Sequence, residues 1–203
     1  MLVTHPEFDE FLQRARRVAQ GAGGLSGTYY RTTGPKYISP KDIVSGLGAM
    51  KGGGRWSPIG VFPAVYASTT PETATAEAFA RGRFFGVPDY EALPVVMVAL
   101  DIHLAKSLNL SARDVRRTLQ VSRADLVDVN WRAEQDAGHE ALTQAIARAA
   151  FAVGFEGLIV PSTAAREGIN IVVFPTRLGA ASRLEVRNPD DLDVLIRPVS
   201  KPT

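Results

Sequence analysis

Cysteine is absent from the 203 residues, which removes disulfide frameworks, thiolate metal sites and cysteine nucleophiles together and fits a cytoplasmic protein. No apolar run reaches the roughly 18 residues that a membrane helix needs, and the start, MLVTHPEFDEFLQRARRVAQ, is acidic before it is basic, unlike a secretory signal. Charge is nearly balanced at +2, with 23 basic against 21 acidic residues. That gives no argument for direct nucleic-acid binding. Histidine is scarce: His5, His103 and His139 lie far apart in no ligand-like spacing. Neither a metal site nor a histidine-based triad is therefore expected.

What is present is enough apolar material, 45% of the chain, to bury one substantial core in a single domain. Thr4 and Glu7 read as a capping box before a helix with Phe8, Leu12, Ala15 and Ala19 at helical spacing, stopped by GAGG. This helix is expected on the outside of the domain. GTYYRTT reads as a strand carrying Arg31, and residues 34–54 as a long loop with one helical turn at Pro40 to Val44. GVFPAVYAS is a second strand in which Pro63 predicts an edge or a bulge. A helix follows, with Thr69 and Glu72 as capping box and Pro71 in its first turn. PVVMVALDI is a buried strand, residues 111–150 are mainly helical, and EGLIVPS, NIVVFP, RLEVRN and DVLIRP are strand-like. Strands and helices follow one another without βαβ alternation, so the fold class is α+β.

The stretch GGGRWSPIG invites a phosphate-loop reading and fails it. Lys51 has the wrong neighbours for a P-loop, and Ser57 stands where a dinucleotide fingerprint needs its third glycine. Arg55 remains as a planar fork for phosphate oxygens or the partner of a surface carboxylate, and Trp56 as a ring face or a core anchor. Tyr66 is a core tyrosine or a rim hydroxyl. Glu77 sits in ATAEAFA among small and apolar neighbours, so it is functional or paired, with Arg81 as the plain helix-surface partner. Ser162 ends an apolar strand as a site group or a cap, and Asn170 opens the next strand or closes a turn. Trp131 reads as a packing anchor.

Taken in order, YYR, GGRWSPIG…VYAS, TPETATAEAF and TQAIARAAFAVGFEGLIVPSTAAREGINIVVFP resemble the RES-domain family, the toxins of Xre–RES toxin–antitoxin pairs, over residues 27–178. Arg31 matches the family arginine, Glu77 its glutamate and Ser162 its serine; Arg55, Tyr66 and Asn170 match further site positions. The resemblance implies an ADP-ribosyltransferase-like fold: two facing, mostly antiparallel sheets with surrounding helices. The domain would run over residues 27–203, with residues 1–26 as an N-terminal helical extension. Residues 35–51 are long for a compact member, and that extension lies outside the match.

The resemblance also implies a toxin that destroys intracellular NAD⁺ by breaking the nicotinamide–ribose bond, with no cofactor, NAD⁺ as substrate and inorganic phosphate as candidate co-substrate. That bond breaks through an oxocarbenium-like transition state, for which a carboxylate, Glu77, supplies electrostatic help. Arg31 and Arg55 are expected on the pyrophosphate, Tyr66 against nicotinamide or ribose, and Ser162 at the nicotinamide end or orienting Glu77. Water, phosphate or a protein side chain as acceptor would make a glycohydrolase, a phosphorylase or a mono-ADP-ribosyltransferase. The second glutamate of many protein-modifying relatives is missing, since Thr75 and Phe79 flank Glu77 at two residues. A catalytically idle nucleotide- or partner-binding module is the reading from another class. An Xre-like antitoxin is the implied partner, and a homodimer is left open.

Overall fold

The computed structural model describes residues 2–84, 96–190 and 192, the side chains of 81–84 excepted. Helix α1 (Phe8–Ala19) is amphipathic, with Phe11 and Ala15 turned fully into the core. It is an outer helix whose inner face packs on α8 (Leu142–Val153). Its N-cap is Glu7 with no side-chain cap bond. The Thr4 capping box does not form, because Val3 is drawn into a bridge with His139 and the His5 amide bonds Glu140.

The expected loop 34–54 is partly ordered into a short 3-10 turn at Pro35–Tyr37 and two helices, α2 (Pro40–Ser45) and α3 (Leu47–Gly52), with left-handed Gly46 (φ +68°) between them. A Cβ at Gly46 would lie 2.6 Å from the Ala64 nitrogen, so only glycine lets the two segments close. Helix α4 (Pro71–Phe84) is capped by Thr70, whose Oγ1 accepts from the Thr73 amide at 3.2 Å. The cap is thus one residue later than predicted. Thr69 instead donates its hydroxyl to the Ile169 carbonyl. The helical stretch after residue 111 resolves into α5 (Arg113–Leu119), α6 (Arg123–Asp128), α7 (Trp131–Asp136) and α8.

Seven strands make one sheet in the order β4-β5-β6-β2-β1-β3-β7. They are β1 (Leu25–Thr33), β2 (Val65–Ser68), β3 (Val96–Leu104), β4 (Ser107–Asn109), β5 (Gly157–Pro161), β6 (Ile169–Val173) and β7 (Arg183–Val186). Every pairing is antiparallel except β4 with β5. The α+β class therefore holds, while the two facing sheets expected from the resemblance are joined, strand to strand, into a single one. The join is slight: β1 meets β2 through one pair, Tyr30 with Ser68. Strand β2 begins after Pro63 and lies inside the sheet, between β6 and β1, so the proline marks neither an edge nor a bulge. The segment DVLIRP lies outside the described residues.

Alternation along the strands separates two apolar layers. Val65, Ala67, Ile171 and Val173 cluster with Tyr29, Val98, Leu100 and Ile102. On the other side Leu158, Val160 and Val172 pack with Phe11, Trp56, Phe62, Ile146 and Ala150. That second side also presents Tyr66, Ser68 and Asn170, because Tyr66 pairs with Val172 and Ser68 with Asn170. Polar groups thus gather where helix cover gives way to α4, which lies against β1 and β2 beside the single-pair join. Among the described residues no helix is long and apolar enough to cross a membrane.

Candidate active site

Three of the six predicted residues touch directly. Glu77 Oε1 accepts the Ser162 hydroxyl at 2.6 Å and the Asn170 amide Nδ2 at 2.7 Å. Helix α4 supplies the carboxylate, the loop after β5 the hydroxyl, and the start of β6 the amide. Ser162 is almost fully buried. Its oxygen also accepts the amides of Ala164 and Ala165, at 3.1 and 3.0 Å. With two N–H groups on the oxygen and its own proton on Glu77, the hydroxyl is committed in full. Ser162 holds Glu77; the alternative place at the nicotinamide end would require it to leave that bond.

Gly168 makes the approach of this loop possible. A Cβ there would lie within 2.9 Å of Ala165, Thr73 and Ser162 side-chain carbons. The residue that sequence reasoning missed is Ser68, buried in β2, which donates to Asn170 Oδ1 at 2.7 Å and so keeps the NH₂ end of that amide towards Glu77. A serine closing a short strand carries no local signal of this role.

The other three residues form a second, linked group. Arg31 Nη1 donates to the Tyr66 carbonyl at 2.8 Å, tying β1 to β2 at the join. The Tyr66 hydroxyl accepts the Trp56 amide at 3.0 Å and shares a 2.9 Å bond with Ser57 Oγ. Burial pushes the phenol up to about 12, against smaller opposing effects from these bonds and from Arg55 and Arg31. Tyr66 is therefore a neutral clamp on the glycine loop. Gly54 lets the phenol in, since a Cβ there would stand 2.6 Å from its oxygen. Trp56 is 2% exposed within the core and offers no ring face, which settles its two readings for the anchor.

Arg55 leaves this clamped turn and donates Nη1 to the carbonyls of Leu126 and Val129, at 3.1 and 3.0 Å, at the end of α6. Burial lowers its pKa, and Arg132 adds to the lowering, whereas Glu77 and Asp128 oppose it. The guanidinium thus stands within electrostatic reach of Glu77. Buried Gln144 of α8 completes the support by donating to the Gly54 carbonyl at 3.1 Å. The alternative partner of Glu77, Arg81, has its side chain outside the described residues. A cavity of about 410 Å³ between the N-terminal segment and α7–α8 is bordered by none of the six.

A carboxylate aligned by two neutral donors, with the anchored Arg55 guanidinium within electrostatic reach, is chemically suited to a substrate that develops positive charge on reaction. The scaffold is one mixed sheet parted at its middle. The RES domain model matches residues 28–195, and the chain belongs to the RES domain family. It is similar to the NAD(+) phosphorylase MbcT of Mycobacterium tuberculosis and of Mycobacterium bovis, 26% identical over 157 residues that make up 76% of either chain. In fold it is similar to the crystal structure of the M. tuberculosis MbcT–MbcA toxin–antitoxin complex. The TM-score is 0.68 at 23% identity, over 91% of this chain and 96% of the other.

Proposed function

We propose that this chain destroys NAD⁺ by breaking its nicotinamide–ribose bond, with inorganic phosphate as acceptor. The observation that carries the reading is the Glu77 carboxylate gripped at one oxygen by Ser162 and Asn170, within electrostatic reach of Arg55. Family membership and the similarity to an NAD(+) phosphorylase support it.

In the reaction the C1″–N1 bond of NAD⁺ breaks, and its electron pair goes to the pyridinium nitrogen, releasing neutral nicotinamide. A phosphate oxygen forms the new bond to C1″, giving ADP-ribose 1″-phosphate, and the phosphate proton passes to solvent. Glu77 faces the oxocarbenium character of C1″ and holds ribose hydroxyls. Arg31 and Arg55 take the pyrophosphate. Each is fixed through Nη1 to main-chain carbonyls, so its plane is set before substrate arrives. Tyr66 acts through the loop it clamps, and Ser162 and Asn170 through the carboxylate they align.

A protein acceptor is disfavoured by the neighbourhood of Glu77. Thr75, where a second glutamate would stand, donates its hydroxyl to the Pro71 carbonyl within α4. An Xre-like antitoxin that covers the cleft and action in the cytoplasm belong to the same proposal. The same proposal takes residues 27–203 as the RES domain and residues 1–26 as an N-terminal helical extension; the family match over residues 28–195 supports it.

The experiment is chromatography of the products from NAD⁺ with and without inorganic phosphate. The reading expects nicotinamide and ADP-ribose 1″-phosphate, with turnover that rises with phosphate. ADP-ribose at a phosphate-independent rate would reassign the acceptor to water, and unconsumed NAD⁺ with folded protein would refute the enzyme.

A further inference from the structure

A second cavity, of about 170 Å³, lies beside the 162–168 loop and is bordered by none of the six predicted residues. Arg116 of α5 and Arg123 of α6 border it together with Ser111, Pro161 and Gly168. Main-chain carbonyls set both guanidiniums in place. Arg116 Nη1 donates to the carbonyls of Leu110 and Ser111, each at 2.8 Å, and Arg123 Nη2 donates to that of Arg166 at 2.6 Å. Among the described residues neither guanidinium meets a carboxylate, and Nε and the other terminal nitrogen of each have no acceptor. The Ser111 hydroxyl is shut off from solvent and has no hydrogen-bond partner, although its amide bonds Asn109 Oδ1 at 3.0 Å. A buried hydroxyl left unpaired is costly. Glu167 is the one carboxylate on the border; its side chain is 94% exposed and stands in solvent beside Arg166.

We propose that Ser111, Arg116 and Arg123 form a binding site for one small tetrahedral oxyanion, inorganic phosphate or sulfate, which fastens the 162–168 loop to α5 and α6. The cavity is smaller than the roughly 300 Å³ at which small-molecule sites begin, so it admits a single ion rather than a nucleotide. Two planar forks and a hydroxyl, on three separate side chains, suit an ion with four oxygens better than a carboxylate with two. Arg123 already bonds the loop at Arg166, and the cavity wall includes Pro161 and Gly168, where the loop begins and ends. Inside the loop the Ser162 amide donates to the Gly168 carbonyl at 2.8 Å, and the Gly168 amide to Ala165 at 2.9 Å. An anion here reaches Glu77 only through Ser162, whose hydroxyl holds that carboxylate. Binding of the ion is independent of the NAD⁺ reading; its consequence for Glu77 rests on that reading.

The test is calorimetric titration with sulfate and, separately, with inorganic phosphate at constant ionic strength. It compares wild type with Arg116→Gln, Arg123→Gln and Ser111→Ala. Arg113→Gln is the control, an exposed α5 residue that does not border the cavity. Wild type should bind saturably, and either arginine variant should bind about ten- to a hundredfold more weakly, the loss of a charge-assisted bond. Ser111→Ala should weaken binding by less and Arg113→Gln should leave it unchanged. The ion that binds wild type more tightly is the one the site takes. Hydrogen exchange at the Ala164, Ala165 and Gly168 amides should slow when sulfate is added to wild type, and not in Arg123→Gln. No saturable binding to wild type, or wild-type affinity in every folded variant, would overturn the site. Exchange indifferent to sulfate would overturn its hold on the loop. Ser111→Ala, which removes a single oxygen, keeps the comparison should an arginine variant not fold. Neither readout involves NAD⁺, so a protein inert towards NAD⁺ would refute the proposed function and leave this test intact.

Discussion

Glu77 differs from the two more deeply buried glutamates in what holds it. Glu140 accepts from Nε and Nη2 of Arg148 at 2.6 and 2.7 Å together with the His5 amide. Glu156 takes the amides of Ala105, Lys106 and Gly179 and the Ser182 hydroxyl. Both are structural acids that clamp chain segments. Glu77 is aligned at one oxygen by a hydroxyl and a side-chain amide, neutral donors as at Glu156 but engaging Oε1 rather than both oxygens, which fix the carboxylate without cancelling its charge. Glu77→Gln should therefore lower kcat by about a hundredfold or more, the range for loss of a preorganised electrostatic partner, while the melting temperature stays near that of wild type. A variant with wild-type kcat would remove Glu77 from the chemistry.

Tyr66 gives a prediction in pH at the same scale. Its phenol is pushed up to about 12 by burial, whereas in the unfolded chain it titrates near 10. Below pH 10 both states keep the proton and stability is independent of this group. From 10 to 12 only the unfolded chain loses it, so the contribution falls by ~1.4 kcal/mol per pH unit. Urea unfolding of wild type and Tyr66→Phe across pH 9–12 measures it: the wild-type advantage should shrink as pH rises. A constant difference would contradict the buried clamp.

Elements were legible where local chemistry and tertiary context agree. The α4 start shows itself through Pro71 and its flanking threonines, and β3, β5 and β6 through their apolar runs. Strand β4 was invisible, because three residues, Ser107 to Asn109, become a strand only by lying parallel to β5. Helix α2 answers to the helical turn expected at Pro40 to Val44, whereas α3, six residues rich in glycine, has the composition of a loop. The site residues stood in the sequence only as a matched set; singly, Ser162 and Asn170 looked like turn residues. Ser68 and Gln144 went unseen because their contacts arise from strand register and helix placement. The 162–168 loop carries the prediction at this scale. Gly168→Ala would force its new methyl against Ala165, Thr73 and Ser162. It should lower kcat by about tenfold or more, as expected for catalytic groups moved by a fraction of an ångström. Unaltered kcat would show that Ser162 is not positioned by this packing.

For the whole molecule, the N-terminal segment is fastened at several points. Val3 exchanges backbone bonds with Gly138 and Glu140. Arg148 lies over the Phe8 ring at 3.4 Å, and Phe11 enters the core that holds Trp56, the root of the Arg55 turn. Phe11→Ala should destabilise by about 3–5 kcal/mol, read as a drop in urea midpoint with unchanged m-value; a loss under 1 kcal/mol would make α1 an ornament. Helix α8 links this end to the Arg55 turn, since it packs on α1 and donates from Gln144 to the glycine loop.

The most direct measurement is mass analysis of the products from NAD⁺ and ¹⁸O-labelled inorganic phosphate. The account predicts one nicotinamide released for each ADP-ribose 1″-phosphate formed, the label retained in the bridging oxygen, and both products formed more slowly by about a hundredfold or more with Glu77→Gln. Intact NAD⁺ after prolonged incubation with folded wild-type protein would contradict it.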